Sequence, residues 1–167
     1  SALKTLFVSL VFALFLGSTA TAQEMPPSAP LFAATLSNLD DQPVALGRYK
    51  GKPLVVNFWA RWCGPCRAEI PELIKFRAAH KGKIEVLGIG IEDKAEPARE
   101  FAKAYEMDYP VFIAKEQGFP LMKALGNTKA GLPFTVFIDG NGQVIQIKLG
   151  LLKKADLDAA AVQLLKN

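Results

Sequence analysis

Cysteine is nearly absent from this chain: Cys63 and Cys66 are the only two in 167 residues. No structural bridge independent of that pair can form, so any thiol chemistry must run through it. Histidine occurs once, as His80, and the three methionines (Met25, Met107, Met122) are scattered. A zinc site wants four ligands, and this inventory falls short, so no metal is expected. No run of basic residues is longer than Lys153-Lys154, and none is interleaved with aromatics, although the formal net charge is +4. That pattern argues against nucleic acid as a partner. There is no internal repeat, no flavin or nicotinamide fingerprint, and no low-complexity tract beyond Met25–Pro30.

What the chain does contain divides into three parts. Lys4, the apolar run Leu6–Leu16 and the small-x-small site Ala20-Thr21-Ala22 read as a secretory signal over residues 1–22. The run is shorter than the ~20 residues of a membrane span, but an uncleaved anchor reaching Ala22 stays open as the alternative. No cysteine lies nearby to carry a lipid. Either reading exports the rest of the chain into a compartment where thiols tend to be oxidised, the periplasm in a Gram-negative bacterium. Residues 23–30 read as a linker, and 31–167 as one domain with one core, expected to be a monomer.

Along that domain, Leu31–Leu36 and Val44–Leu46 predict a short hairpin around the polar turn Asn38–Gln42. Leu54–Ala60 is a continuous apolar run typical of a strand buried on both faces. Cys63–His80 follows as a helix that Pro71 should kink, and Ile84–Ile91 as a second buried strand, completing a right-handed βαβ unit. Helices are expected at Pro97–Tyr105, Phe119–Leu125 and Asp156–Lys166, with a short strand at Val111–Ala114. Phe134–Ile138 and Val144–Leu149 flank Asp139-Gly140-Asn141-Gly142, a strong hairpin signal. The sum is a mixed α/β domain, its central sheet covered by helices.

The spacing Cys63-Gly64-Pro65-Cys66 places two thiols within disulfide reach at a helix start. There Cys63 meets free N–H groups and the positive end of the dipole, which stabilise its thiolate. Cys63 is therefore the expected nucleophile and the more deeply set Cys66 the resolving thiol. Pro65 fits the first turn without losing a hydrogen bond. Trp62 is expected over the site and Trp59 in the packing. His80 falls where the helix ends, and the dipole explains it without a catalytic role.

Trp62-Cys63-Gly64-Pro65-Cys66-Arg67-Ala68-Glu69-Ile70-Pro71 resembles the W-C-x-P-C-x-x-E-x-P signature of the TlpA/ResA/DsbE (CcmG) branch of thioredoxin-like proteins. Gly131-Leu132-Pro133-Phe134-Thr135-Val136-Phe137-Ile138-Asp139 is similar to that branch's second block. The resemblance spans Pro30–Asn167. It implies a thioredoxin-like fold with an N-terminal β-hairpin and a central α/β insertion between Glu92 and Ala114. It also implies an exported thiol–disulfide oxidoreductase, with the Cys63–Cys66 pair itself as the redox group and no other cofactor. Pro133 matches the family's cis-proline. Leu132, beside it, would offer its backbone to a substrate strand, with Trp62, Gly64, Pro65 and Pro133 forming the rest of the docking surface. Phe134 reads as core, with the substrate groove as the alternative.

Thioredoxin carries an acid six residues before the first cysteine; here that position is Asn57. The branch's acid falls at Glu69, where a buried carboxylate would tune the thiols and relay a proton. A solvated Glu69 paired with Arg67 or Lys75 is the bland alternative. The resemblance favours a reductant of substrate disulfides, with apocytochrome c, a copper chaperone or an oxidase subunit as client. A membrane thiol reductant of the DsbD/CcdA type would recharge it. Two competing readings are a disulfide-introducing oxidant and a Sco-like copper chaperone, although Sco proteins use C-x-x-x-C. A peroxidase is disfavoured, because no P-x-x-x-T-x-x-C context is present.

Overall fold

The computed structural model describes residues 24–166. The export segment predicted over 1–22 lies outside them. Seven strands form one sheet: β1 (Thr35–Asn38), β2 (Pro43–Ala45), β3 (Leu54–Trp59), β4 (Glu85–Gly90), β5 (Val111–Ile113), β6 (Phe134–Ile138) and β7 (Val144–Leu149). Five helices accompany them: α1 (Ala29–Ala33), α2 (Gly64–Ala79), α3 (Ala95–Ala104), α4 (Gly118–Ala124) and α5 (Lys154–Leu164). The strand order is β2-β1-β5-β4-β3-β6-β7. β3, β4 and β5 run parallel, while β1 pairs antiparallel with β5 and β2, and β6 antiparallel with β3 and β7.

β3 shows how one strand serves two layers. Its alternate residues Leu54, Val56 and Phe58 pack into the core beneath α1 and α4, with Leu31, Met122 and Leu125. Val55 and Trp59 face the other core, with Cys66 and Leu73 of α2 and Leu157 and Ala160 of α5. An apolar run without alternation is what burial on both faces requires. Asn57 is the one polar residue of this strand and is buried.

The predicted elements are present with shifted ends, and one is corrected. Leu31–Ala33, expected as strand, belongs to the helix α1, which Pro30 helps to start and which buries Leu31. The hairpin therefore begins at Thr35, and the first residues of the domain reach back into the predicted linker. Its turn is closed by Asn38, whose Oδ1 accepts from the N–H groups of Asp40 and Gln42 at 2.9 Å each. Asp139 does the same for the β6–β7 turn, accepting from Asn141 and Gln143. α2 runs unbroken through Pro71 to Ala79. The insertion between β4 and α4 consists of α3 and β5.

Candidate active site

β3 ends at Trp59, and residues 60–63 carry the chain onto α2. Cys63 is the N-cap of that helix, and its Sγ accepts from the N–H of Cys66 at 3.3 Å. This is one of the free donors at a helix start, and a donor in that place would stabilise a thiolate on Cys63. Cys63 and Cys66 are disulfide-bonded, with Cα atoms 5.2 Å apart. Both are buried in this oxidised form, Cys63 at 5% exposure and Cys66 at 1%. Trp62, by contrast, is 71% exposed, and Gly64 and Pro65 are also at the surface.

The approach to the dithiol is held by charge. Glu92 Oε1 accepts from the Arg61 main-chain N–H at 2.9 Å and from Arg61 Nε at 3.1 Å. Arg67 Nη1 in turn donates to the Arg61 carbonyl at 2.7 Å.

Glu69 lies one helical turn beyond Cys66, an i,i+3 spacing that keeps both on the buried face of α2. It is 1% exposed. Its Oε1 accepts from Asn57 Nδ2 at 2.6 Å and its Oε2 from the Leu152 main-chain N–H at 2.8 Å. Asn57 Nδ2 also donates to Thr135 Oγ1 at 3.1 Å. Burial raises the Glu69 pKa from 4.5 to about 7, outweighing the two hydrogen bonds that pull it down. The solvated alternative is thereby excluded: Lys75 pairs with Glu72 instead, and Arg67 holds Arg61.

The Leu132–Pro133 peptide is cis. Phe58 pairs with Phe134 across β3 and β6, so the residues leading into β6 run beside those leading to Cys63. Leu132 is half-buried against the core that contains both cysteines. Neither its N–H nor its C=O has a hydrogen-bond partner among the described residues. Pro133 is buried, and its carbonyl accepts from Gly150 N–H at 2.8 Å, so of this pair only Leu132 has free backbone groups. Phe134 is core.

The structure places His80 at the opposite end of α2, roughly 24 Å away at 1.5 Å per residue. It caps the helix and packs on Phe76, ring centroids 4.5 Å apart. Among the described residues no group of three or more His, Cys, Asp or Glu could hold a metal ion. Trp59 is buried and stacks on Phe101 at 5.0 Å.

A helix-capping dithiol beside a cis-proline, on a sheet of this order, invites comparison with known proteins. The Redoxin family profile matches residues 23–163. The chain belongs to the Redoxin family. This redoxin is 30% identical over 140 residues to the thiol-disulfide oxidoreductase ResA of Geobacillus kaustophilus, covering 83% of this chain and 76% of the relative. To ResA of Bacillus thuringiensis it is 32% identical over 136 residues, with 81% and 75% covered. A solved thiol:disulfide interchange protein of the thioredoxin family from Chlorobium tepidum superposes with a TM-score of 0.72 at 26% identity. That match covers 87% of this chain and all of the other. The fold is thus thioredoxin-like, and this redoxin is a thiol–disulfide oxidoreductase that carries a Cys63–Cys66 disulfide.

Two contributors to the site were not read from the sequence. The Leu152 amide reaches Glu69 across 83 positions, and a main-chain donor has no residue-type signature. Thr135 stands within a recognised block, but its contact with Asn57 depends on the β3–β6 register.

Proposed function

We propose that this protein works outside the cytoplasm as a reductant of disulfides in client proteins. The observation that carries the reading is Glu69, a buried carboxylate one turn below Cys66 with a pKa near neutrality. A second negative charge beside it is costly, so Glu69 opposes thiolate formation in the dithiol. Disfavouring the thiolate disfavours the reduced form, which makes the pair a better electron donor.

In the forward reaction the Cys63 thiolate attacks one sulfur of the client disulfide. The client S–S bond breaks, a mixed disulfide forms, and the departing client sulfur takes a proton. Cys66 passes its proton toward the Glu69 carboxylate and attacks Cys63 Sγ. The second client sulfur leaves as thiolate, and the Cys63–Cys66 bond closes. Two electrons have moved from the dithiol to the client. A pKa near 7 suits Glu69 to both halves of this exchange, because both of its protonation states are populated at neutral pH.

Residues 1–22, read as an export signal, support an extracytoplasmic site of action, and an oxidising compartment requires a dithiol source, a membrane conduit of the DsbD/CcdA type. Clients are proteins of cytochrome c maturation or respiratory-complex assembly. Equilibration with glutathione tests the direction. A potential near that of thioredoxin, about −270 mV, is expected; one near that of DsbA, about −120 mV, makes the protein an oxidant.

A further inference from the structure

Basic residues form no long run along the chain, but the fold gathers five of them at one end of the sheet. β3 leaves this end at Leu54 and reaches the dithiol past Trp59, so the two ends lie roughly 17 Å apart along the strand. Arg48, Lys50 and Lys52 precede β3, and Lys81 and Lys83 precede β4. The Glu85 N–H bonds the Pro53 carbonyl at 3.0 Å and joins the two segments, and Arg48, Lys50 and Lys52 line one hollow with Glu85. All five cations are exposed, and among the described residues none enters an ion pair. Gly51 and Gly82 stand between the lysines with nothing within 4 Å of where a Cβ would be, so the surface there is open.

The acids of this end are few. Glu85 is taken up by Arg77 at 2.7 Å, and Asp139 Oδ1 accepts from the Asn141 and Gln143 amides. The β6–β7 turn borders the basic surface, since a Cβ on Gly140 would stand 3.6 Å from the Gly51 carbonyl oxygen. The N-terminal segment is fastened to that same turn. Ser28 Oγ donates to the Gly142 carbonyl, and Glu24 and Met25 line one hollow with Gly142, Gln143 and Val144. Residues 1–22, with the apolar run Leu6–Leu16, thus join the domain beside the basic surface and far from the dithiol. With Asp139 and Glu24 both counted as negative, the five unpaired cations still leave this end net positive.

We propose that Arg48, Lys50, Lys52, Lys81 and Lys83 form a docking surface for an anionic lipid bilayer, which holds the dithiol facing away from the lipid. Each cation at such a surface adds to the attraction, which acts over about one Debye length. Tyr49, the aromatic among them, turns onto Phe112 with ring centroids 6.1 Å apart, so it is not offered to a nucleic-acid base. Lipid is favoured over an acidic protein because the apolar N-terminal run meets the domain on this same side. The docking is independent of the direction of electron flow.

Vesicles of phosphatidylcholine, with and without about one-third phosphatidylglycerol, test it on the full chain. The chain should partition more strongly onto the anionic vesicles, and that preference should shrink as salt is raised. Lys50→Gln, Lys52→Gln and Lys83→Gln combined should cut the preference on the order of a hundredfold, at about fivefold per charge. Lys94→Gln, Lys123→Gln and Lys129→Gln combined change the net charge equally at exposed positions outside this surface and should leave it in place. Any binding of the apolar run to neutral vesicles is common to all three chains and cancels from the ratio. No preference in the unmodified chain, or one that survives the first triple substitution, overturns the proposal. If polyglutamate holds the chain at a salt concentration that releases it from the vesicles, the partner is an acidic protein and the proposal falls. Exchange with a soluble disulfide peptide reads the orientation. Vesicle-bound chain should react as fast as free chain, and a rate suppressed on anionic vesicles overturns the outward-facing dithiol. Absence of exchange in both states would sink the redox reading, with the vesicle preference still deciding the docking.

Discussion

Asn57 Nδ2 stands 2.6 Å from Glu69 Oε1, an amide donating to a carboxylate where both side chains are 1% exposed. The acid is delivered from the helix and the amide from the strand. Asn57 cannot take up a proton, but it orients the group that can, and its second contact to Thr135 fixes its own rotation. Replacing Asn57 by Ala leaves a buried carboxylate with one donor fewer. Stability should fall by about 1–3 kcal/mol in urea titrations, and the Glu69 pKa should rise further.

Glu69 should make stability depend on pH. Its folded pKa lies above the unfolded value, 4.5 rising to about 7. The folded state thus binds more protons between those values. The contribution is fully present below pH 4.5 and is lost as pH rises through 7, on the order of 3 kcal/mol in all. Comparing Glu69→Gln with the unmodified oxidised protein between pH 4 and 8 isolates that slope. Equal slopes would mean that the carboxyl is not held in a desolvated site.

The same variant reads the chemistry. With the carboxylate removed, the apparent pKa of Cys63 should fall, because the thiolate no longer forms beside a second negative charge. Iodoacetamide trapping of the reduced protein across pH measures this, and an unshifted profile would sink the coupling between Glu69 and the dithiol.

Gly88 provides room for the aromatic packing beneath the site. A Cβ there would stand 3.0 Å from Tyr109 Cε2 and 3.3 Å from Trp59 Nε1. Gly88→Ala should cost about 1–3 kcal/mol by overpacking and shift the emission of buried Trp59.

Cys66→Ser should accumulate the mixed disulfide at Cys63, since no thiol remains to resolve it. Non-reducing electrophoresis with a disulfide-bonded client peptide would show a covalent adduct that disappears on addition of dithiothreitol. Cys63→Ser should form little or none.

The dithiol and the order of most elements were legible in residue order, because they depend on local chemistry. Two cysteines at i and i+3 on a helix start, an unbroken apolar strand and an Asp-Gly-Asn-Gly turn each carry their reason within a few positions. Leu31–Ala33 misled, because a short apolar stretch does not distinguish a strand from one helical turn, and only packing decides between them. Glu69 was identifiable as an acid in the right place, but residue type alone could not say whether it was solvated. It is buried where Asn57 of β3 and the Leu152 main chain meet it.

By itself, then, the sequence determined that any thiol chemistry must run through a single pair, which cysteine caps the helix, and that one acid follows a turn later. Tertiary structure decided what that acid is. Desolvation between β3, α2 and the chain at Leu152 raises the Glu69 pKa to about 7, an effect of the medium around a charge and not of the residues beside it in the chain.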